Sequence, residues 1–181
     1  MGSGKSTVAD HLKLRWGFER IRFAGPLKRM LASLLETQGC TPEYIKRCLE
    51  GDLKTQPVPE LSGRTPRHAM QTLGTEWARD KMHADLWVNC WRGQAEQLLK
   101  KGTPVVADDC RFFNEYDTIR SMGGIVWRVA RDGYQGDGHV SESEQKNFDV
   151  DANFLNNSSV RSLLLRVDQT LRGYIKKTQS A

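Results

Sequence analysis

The chain has 181 residues, a formal net charge of +5 and a pI near 9.1, the size of one domain that can bury a core without staples. Its mixture of apolar and charged residues is that of a globular protein in water, and no apolar run approaches the ~20 residues needed to cross a bilayer. With no secretory signal pattern either, the expected location is cytoplasmic, in a cell or an infected host. Cys40, Cys48, Cys90 and Cys110 form no C-x-x-C pair and meet no histidine at zinc spacing, so they read as reduced structural thiols. The basic surplus suits nucleic acid or a polyanionic small molecule; the arginines fall in short motifs near turns instead of along one helical stripe, which favours the small molecule.

Met1-Gly2-Ser3-Gly4-Lys5-Ser6-Thr7 is the back two-thirds of a Walker A loop, feeding a helix over Val8 to Trp16. Gly2 and Gly4 let backbone N–H groups close on phosphate oxygens, Lys5 reaches the β- and γ-phosphates, and Ser6 holds Mg²⁺. The helix start adds partial positive charge. The motif's first glycine and the strand that delivers the loop would lie before Met1. The expectation is either a start upstream of this methionine or a chain that lacks its first strand and binds nucleotide poorly.

Gly17 to Ala24 alternates apolar and charged residues and predicts a strand ended by Gly25-Pro26. Leu27, Met30, Leu31, Leu34 and Leu35 predict a helix to about Gln38. Thr41-Pro42 is an N-cap followed by proline at the first helical position, giving a helix over Pro42 to Glu50. Gly51 to Gly63 reads as a loop, Thr65-Pro66 repeats the cap signal for a helix through about Met82, and Asp85 opens another from Leu86 to Lys100. Thr103 to Asp109 is a short apolar run ending in two carboxylates, as a buried parallel strand does when it points at a site. A helix over Asn114 to Met122, a strand over Ile125 to Ala130, a glycine-rich loop from Asp132 to Gly138, a short strand at Phe154-Leu155 and a helix over Ser158 to Lys176 complete the chain. The alternation predicts an α/β fold, a parallel sheet with helices on both faces. The helical run from Pro42 to Lys101 is expected to be an insertion over the strands' carboxyl ends.

A phosphate loop needs a carboxylate at a buried strand end to order Mg²⁺, and Asp108 and Asp109 are both candidates. Gly63-Arg64-Thr65-Pro66-Arg67 sets two guanidinium groups around a helix start, where planar forks grip a monophosphate. Arg79, Arg111, Arg128 and Arg131 also lie near turns or strand ends, and together they point to a kinase that brings two charged phosphates together. Gly133, Gly136 and Gly138 predict a lid able to exclude water. His139-Val140-Ser141-Glu142 reads as a capped helix start. The five tryptophans read mostly as core, with Trp77 able to stack on a base.

Phe23-Ala24-Gly25-Pro26-Leu27-Lys28, Gly63 to Arg67 leading into Gln71-Thr72-Leu73-Gly74-Thr75-Glu76, Asp108-Asp109-Cys110-Arg111-Phe112-Phe113-Asn114-Glu115, and His139-Val140-Ser141-Glu142 follow one another in order over nearly the whole chain. In this the sequence resembles the bacteriophage deoxynucleoside monophosphate kinases. The resemblance implies a three-layer P-loop kinase fold, a single domain over 1–181 with a helical acceptor-binding insertion at 40–101 and a lid at 131–145. It implies transfer of the γ-phosphate of ATP, with Mg²⁺, to a deoxynucleoside monophosphate. Gly2, Ser3, Gly4, Lys5, Ser6 and Thr7 would hold ATP, with Ser6 and Asp108 on the metal. Lys28, Arg64, Arg67 and Gln71 would face the acceptor, Asp109 and Arg111 would sit between the nucleotides, and Lys5, Arg111 and Arg131 would be catalytic. Small-molecule nucleotides are the expected partners, with no membrane; nucleic acid ranks low and a homodimer stays open. A phosphomevalonate or dephospho-coenzyme A kinase is the enzyme alternative, and a basic nucleic-acid-binding protein with a vestigial nucleotide loop ranks below it.

Overall fold

The computed structural model describes residues 3–133 and 144–179. They form two compact units, one from Met1–Ile21 and Gln94–Ala181, the other from Arg22–Gly93.

In the first unit, helix α1 (Lys5–Trp16) leads into β1 (Glu19–Arg20). β1 pairs in parallel with β2 (Val105–Val106), Glu19 opposite Val105, and the ladder is extended by Glu19 N donating to Pro104 O and Ile21 N to Val106 O. Helix α6 (Phe113–Ser121) follows β2, and β3 (Trp127–Ala130) pairs in parallel with β4 (Ala152–Leu155), Trp127 opposite Ala152. The last helix, α7, spans Val160–Gln179. Val8 and Leu12 of α1 and Leu163, Val167 and Leu171 of α7 recur at a spacing of four, so each helix turns one stripe inward. With Phe154 they form a buried core lined by Trp16, Val106, Trp127 and Val129, each large apolar side chain contributing roughly 1.5–3 kcal/mol of transfer energy.

The parallel pairing is as the alternation predicted, but the first three strands are shorter than expected, and the last begins earlier, at Ala152. The stretch expected as one strand from Gly17 to Ala24 pairs at Glu19–Arg20 and then turns at residues 23–24. The described residues are thus a mixed α/β arrangement, mostly helical, with two separate two-stranded parallel sheets.

The second unit is helical. It contains α2 (Gly25–Thr37), α3 (Pro42–Glu50), two single 3₁₀ turns (Asp52–Thr55 and Pro59–Leu61) and α4 (Pro66–Gln71). From Thr72 to Met82 the chain winds on with wider π-type turns, and α5 (Leu86–Lys100) starts here and ends in the first unit. Both threonine–proline signals act as read: Thr41 Oγ1 accepts from Tyr44 N at 3.3 Å and Thr65 Oγ1 from His68 N at 3.0 Å. Leu27, Leu31 and Leu35 of α2 pack with Ile45, Cys48, Leu49, Val58, Met70, Ala78 and Trp87. The buried Trp87 indole donates to Gly74 O at 2.9 Å, so its polar atom is satisfied inside the core. Trp77, by contrast, is 39% exposed. All four cysteines are free thiols, and burial pushes those of Cys40 and Cys48 up.

One half-buried ionic knot ties α1 to α7. Asp168 Oδ1 accepts from His11 Nε2 and from Trp16 Nε1, each at 2.7 Å, while Arg15 Nε lies 3.2 Å from Oδ2. Burial opposes the ionised carboxyl, but the hydrogen bonds from His11 and Trp16 outweigh it and hold Asp168 below its usual 3.8. A carboxyl lowered in the folded state adds stability that is fully present above its unfolded value and is lost as pH falls through the folded one. Asp168→Ala should therefore cost about 1–3 kcal/mol near neutral pH, with the gap to wild type closing as pH drops below about 3.8. Urea unfolding over that range measures it; a gap that stays constant contradicts the assignment.

Candidate active site

The glycine-containing segment before Lys5 is built as the sharp entry to α1. Gly4 is the N-cap, with φ +103°, and its carbonyl accepts from Val8 N at 3.0 Å. A side chain is doubly excluded there. The left-handed φ strains any L residue, and a Cβ would stand 2.6 Å from Asn156 Nδ2. Ser3 is buried, its carbonyl accepting from Asn156 Nδ2 at 3.0 Å and its hydroxyl from Lys5 Nζ, also at 3.0 Å. Lys5, Ser6 and Thr7 are exposed on the first turn of α1, which carries no acidic residue, so its positive end is not cancelled locally. Gly2 lies outside the described residues.

Asn156 was not singled out by the sequence reading. It follows β4, and its backbone N donates to Ala130 O at 2.7 Å, prolonging the β3–β4 ladder to the base of the loop. Asn157 continues the pattern, accepting from Asp132 N at 2.9 Å and donating to the Asp132 carboxylate. Arg131 is therefore bracketed, with the residue on each side of it fastened to this asparagine pair. The available signal was local: an apolar strand ending in two asparagines marks a turn whose amides bond backbone. Residues 134–143, which include most of the expected lid with Gly136, Gly138, His139, Ser141 and Glu142, lie outside the described residues.

Beyond β2, the Asp108 side chain is 4% exposed and lies 3.6 Å from Arg20 Nη1, which also sits 2.8 Å from Asp10 Oδ1 on α1. Arg20 thus links the loop's helix to the strand-end acid, a partner that sequence spacing did not reveal. Asp109 is half-buried and Arg111 exposed. The Arg111 backbone is fixed by Glu115, a buried residue whose Oε2 accepts from Arg111 N at 2.7 Å and Phe112 N at 3.3 Å. Glu144 accepts from Phe113 N at 2.9 Å, so carboxylates already occupy the start of α6. Burial pushes the Cys110 thiol up, which makes it a poor nucleophile.

Arg128 does not act as the strand-end pattern suggested. Its Nη2 donates to Gln145 O at 2.8 Å and Phe148 O at 3.1 Å, closing the turn at 144–146. It is a clamp on carbonyls.

Lys28, Arg64, Arg67 and Gln71 lie in the second unit. Lys28, in the first turn of α2, pairs with Glu50 Oε1 at 2.5 Å, and Arg22 joins the same oxygen at 3.2 Å. Val58 N donates to Arg64 O, and Gly63 N to Val58 O, which pins the turn ahead of α4. Arg64 is exposed and Arg67 half-buried on either side of the Thr65 cap, and Gln71 is exposed where the π-type turns begin. Among the described residues, no group of three or more His, Cys, Asp or Glu side chains is gathered to hold a metal.

The loop geometry generates a stability test. Gly4→Ala should destabilise the protein by about 1–3 kcal/mol through backbone strain, and Asn156→Ala by a similar ~1–3 kcal/mol through the unpaired Ser3 carbonyl. Denaturant unfolding reads both, and a Gly4→Ala protein as stable as wild type contradicts the tight turn.

Two comparisons bear on identity. A family model described as deoxynucleotide monophosphate kinase matches residues 62–167, which include Arg64, Arg67, Gln71, Asp108, Asp109, Arg111 and Arg131. A protein of Acanthamoeba polyphaga mimivirus, named "Putative deoxynucleotide monophosphate kinase", is 31% identical over 177 residues, covering 92% of this chain and 89% of its own. The chain belongs to the deoxynucleotide monophosphate kinase family.

Proposed function

We propose that the protein transfers the γ-phosphate of ATP to a deoxynucleoside monophosphate, giving ADP and the deoxynucleoside diphosphate, and so supplies precursors for DNA synthesis. Phosphorylation of deoxynucleotide monophosphates follows from the family. ATP as donor rests on one observation above the others: the Ser3-Gly4-Lys5-Ser6 turn at the start of α1, with its left-handed glycine and no acidic residue in the first helical turn. The phosphomevalonate and dephospho-coenzyme A alternatives are not favoured, since both comparisons carry the deoxynucleotide name.

In this reading residues 2–7 cradle the triphosphate and Lys5 meets its β- and γ-oxygens. Ser6 and Asp108 are hard oxygen donors of the kind Mg²⁺ selects, and the buried Asp108 carboxylate already sits beside one cation, Arg20. Bound there, Mg²⁺ would neutralise charge on the phosphates. Lys28, Arg64 and Arg67 grip the acceptor's monophosphate and Gln71 lines its base pocket. Arg111 and Arg131 spread the charge that develops on the transferred group. No side-chain nucleophile is needed, because positioning and electrostatic stabilisation supply the catalysis. The three-layer arrangement, the division into a nucleotide-binding core and an acceptor insertion at 40–101, and the lid at 131–145 belong to the same proposal. So do the cytoplasmic location, the small-molecule nucleotide partners, a low rank for nucleic acid and an open question of dimerisation; among the described residues no helix is long and apolar enough to cross a membrane.

Lys5→Ala should lower kcat by about two orders of magnitude or more, while far-ultraviolet circular dichroism and the unfolding midpoint stay near wild type; near-normal turnover removes the central assignment. A panel of acceptors offered with ATP and Mg²⁺ tests substrate class. ADP release is expected with deoxynucleoside monophosphates and not with phosphomevalonate or dephospho-coenzyme A; release that ignores the acceptor would defeat the proposal.

A further inference from the structure

Arg22 and Lys28 converge on one atom. Both donate to Oε1 of Glu50, Arg22 Nη1 at 3.2 Å and Lys28 Nζ at 2.5 Å. The turn that carries them is set by its backbone and its core. Gly25 N donates to Arg22 O at 3.0 Å and Lys28 N to Ala24 O at 3.1 Å. Between the two cations, Phe23 and Leu27 are buried, Phe23 stacked on Trp91 with centroids 4.6 Å apart. The cations are the more enclosed partners, 24% and 18% exposed, against 44% for the carboxylate they hold. The anion therefore lies on the solvent side, where an outside anion can reach the same position. Glu50 is also the last residue of α3, where the helix dipole opposes a negative charge. Its placement makes electrostatic sense through the two cations.

We infer that Arg22 and Lys28 form one anion subsite for the acceptor's monophosphate, and that Glu50 is its resident stand-in, exchanged for the phosphate when the deoxynucleotide enters. The inference deepens the kinase proposal and rests on Lys28 facing the acceptor. A monophosphate presents three oxygens and up to two charges, to a guanidinium fork and an ammonium suited to bind it. Glu50 offers one charge and shares one oxygen. The carboxylate keeps two neighbouring cations from repelling each other in the empty site and makes singly charged anions poor competitors. The exchange breaks and forms no covalent bond.

A titration with inorganic phosphate, followed through the backbone amide shifts of residues 22–28 and 50, reads the subsite itself whatever the phosphate loop binds. Glu50→Gln should tighten phosphate binding there about three- to tenfold and lower the KM for deoxynucleoside monophosphate by a similar factor, with the KM for ATP unchanged. Glu50→Asp, one methylene shorter, should fall between, and Arg22→Ala should weaken both. Unchanged or weaker phosphate binding in a folded Glu50→Gln protein overturns the inference, even if deoxynucleotides are phosphorylated normally. Tighter phosphate binding in a protein that phosphorylates no deoxynucleotide upholds the anion subsite and removes its acceptor role along with the kinase proposal.

Discussion

The amide of Asn156 on the carbonyl of Ser3 is the contact on which the loop at the start of α1 depends. It is made from a residue that itself extends the β3–β4 ladder, so the loop is fastened to the sheet and not merely to its own helix. Gly4 is required by the same contact, since the amide fills the space a side chain would take. Asn157 then fastens Asp132, so the root of Arg131 and the turn before Lys5 hang from two consecutive residues. Catalysis by positioning demands such an arrangement, because a donor displaced by an ångström no longer meets the developing charge.

The second unit handles charge differently. Three of its cations are paired with carboxylates, Lys28 and Arg22 with Glu50 and Arg47 with Asp52, the last through a two-pronged contact at 3.0 and 2.7 Å. Surface pairs of this kind add little stability. Their value lies in orienting side chains that would otherwise wander, and Arg22 and Lys28 flank a turn anchored by the buried Phe23 and Leu27.

What could be read from the sequence was local. Thr41-Pro42 and Thr65-Pro66 announce their helices because cap, proline and first turn lie within four residues. The spacing of Leu27, Leu31 and Leu35 gives the buried face of α2 for the same reason. The ordered motifs carried the family, which the comparisons then showed. Strand length was less legible: alternation from Gly17 to Ala24 continues past the last paired residue, because Phe23 is buried against Trp91 in a helical neighbourhood and not on a sheet face. Partners distant in sequence were invisible. Arg128 read as one of several arginines near strand ends until its carbonyl acceptors, 17 to 20 residues on, were in view. Glu50 and Asn156 are ordinary residues until the fold sets them beside Lys28 and Ser3, and the π-type winding after Gln71 has no sequence pattern to announce it.

The ³¹P spectrum of a reaction holding the protein, ATP, Mg²⁺ and one deoxynucleoside monophosphate tests the central claim most directly. The account predicts that the triphosphate and monophosphate signals decline together while two nucleoside diphosphates grow in equal amounts. Growth of inorganic phosphate with the deoxynucleotide signal untouched, or no change at all, would contradict it.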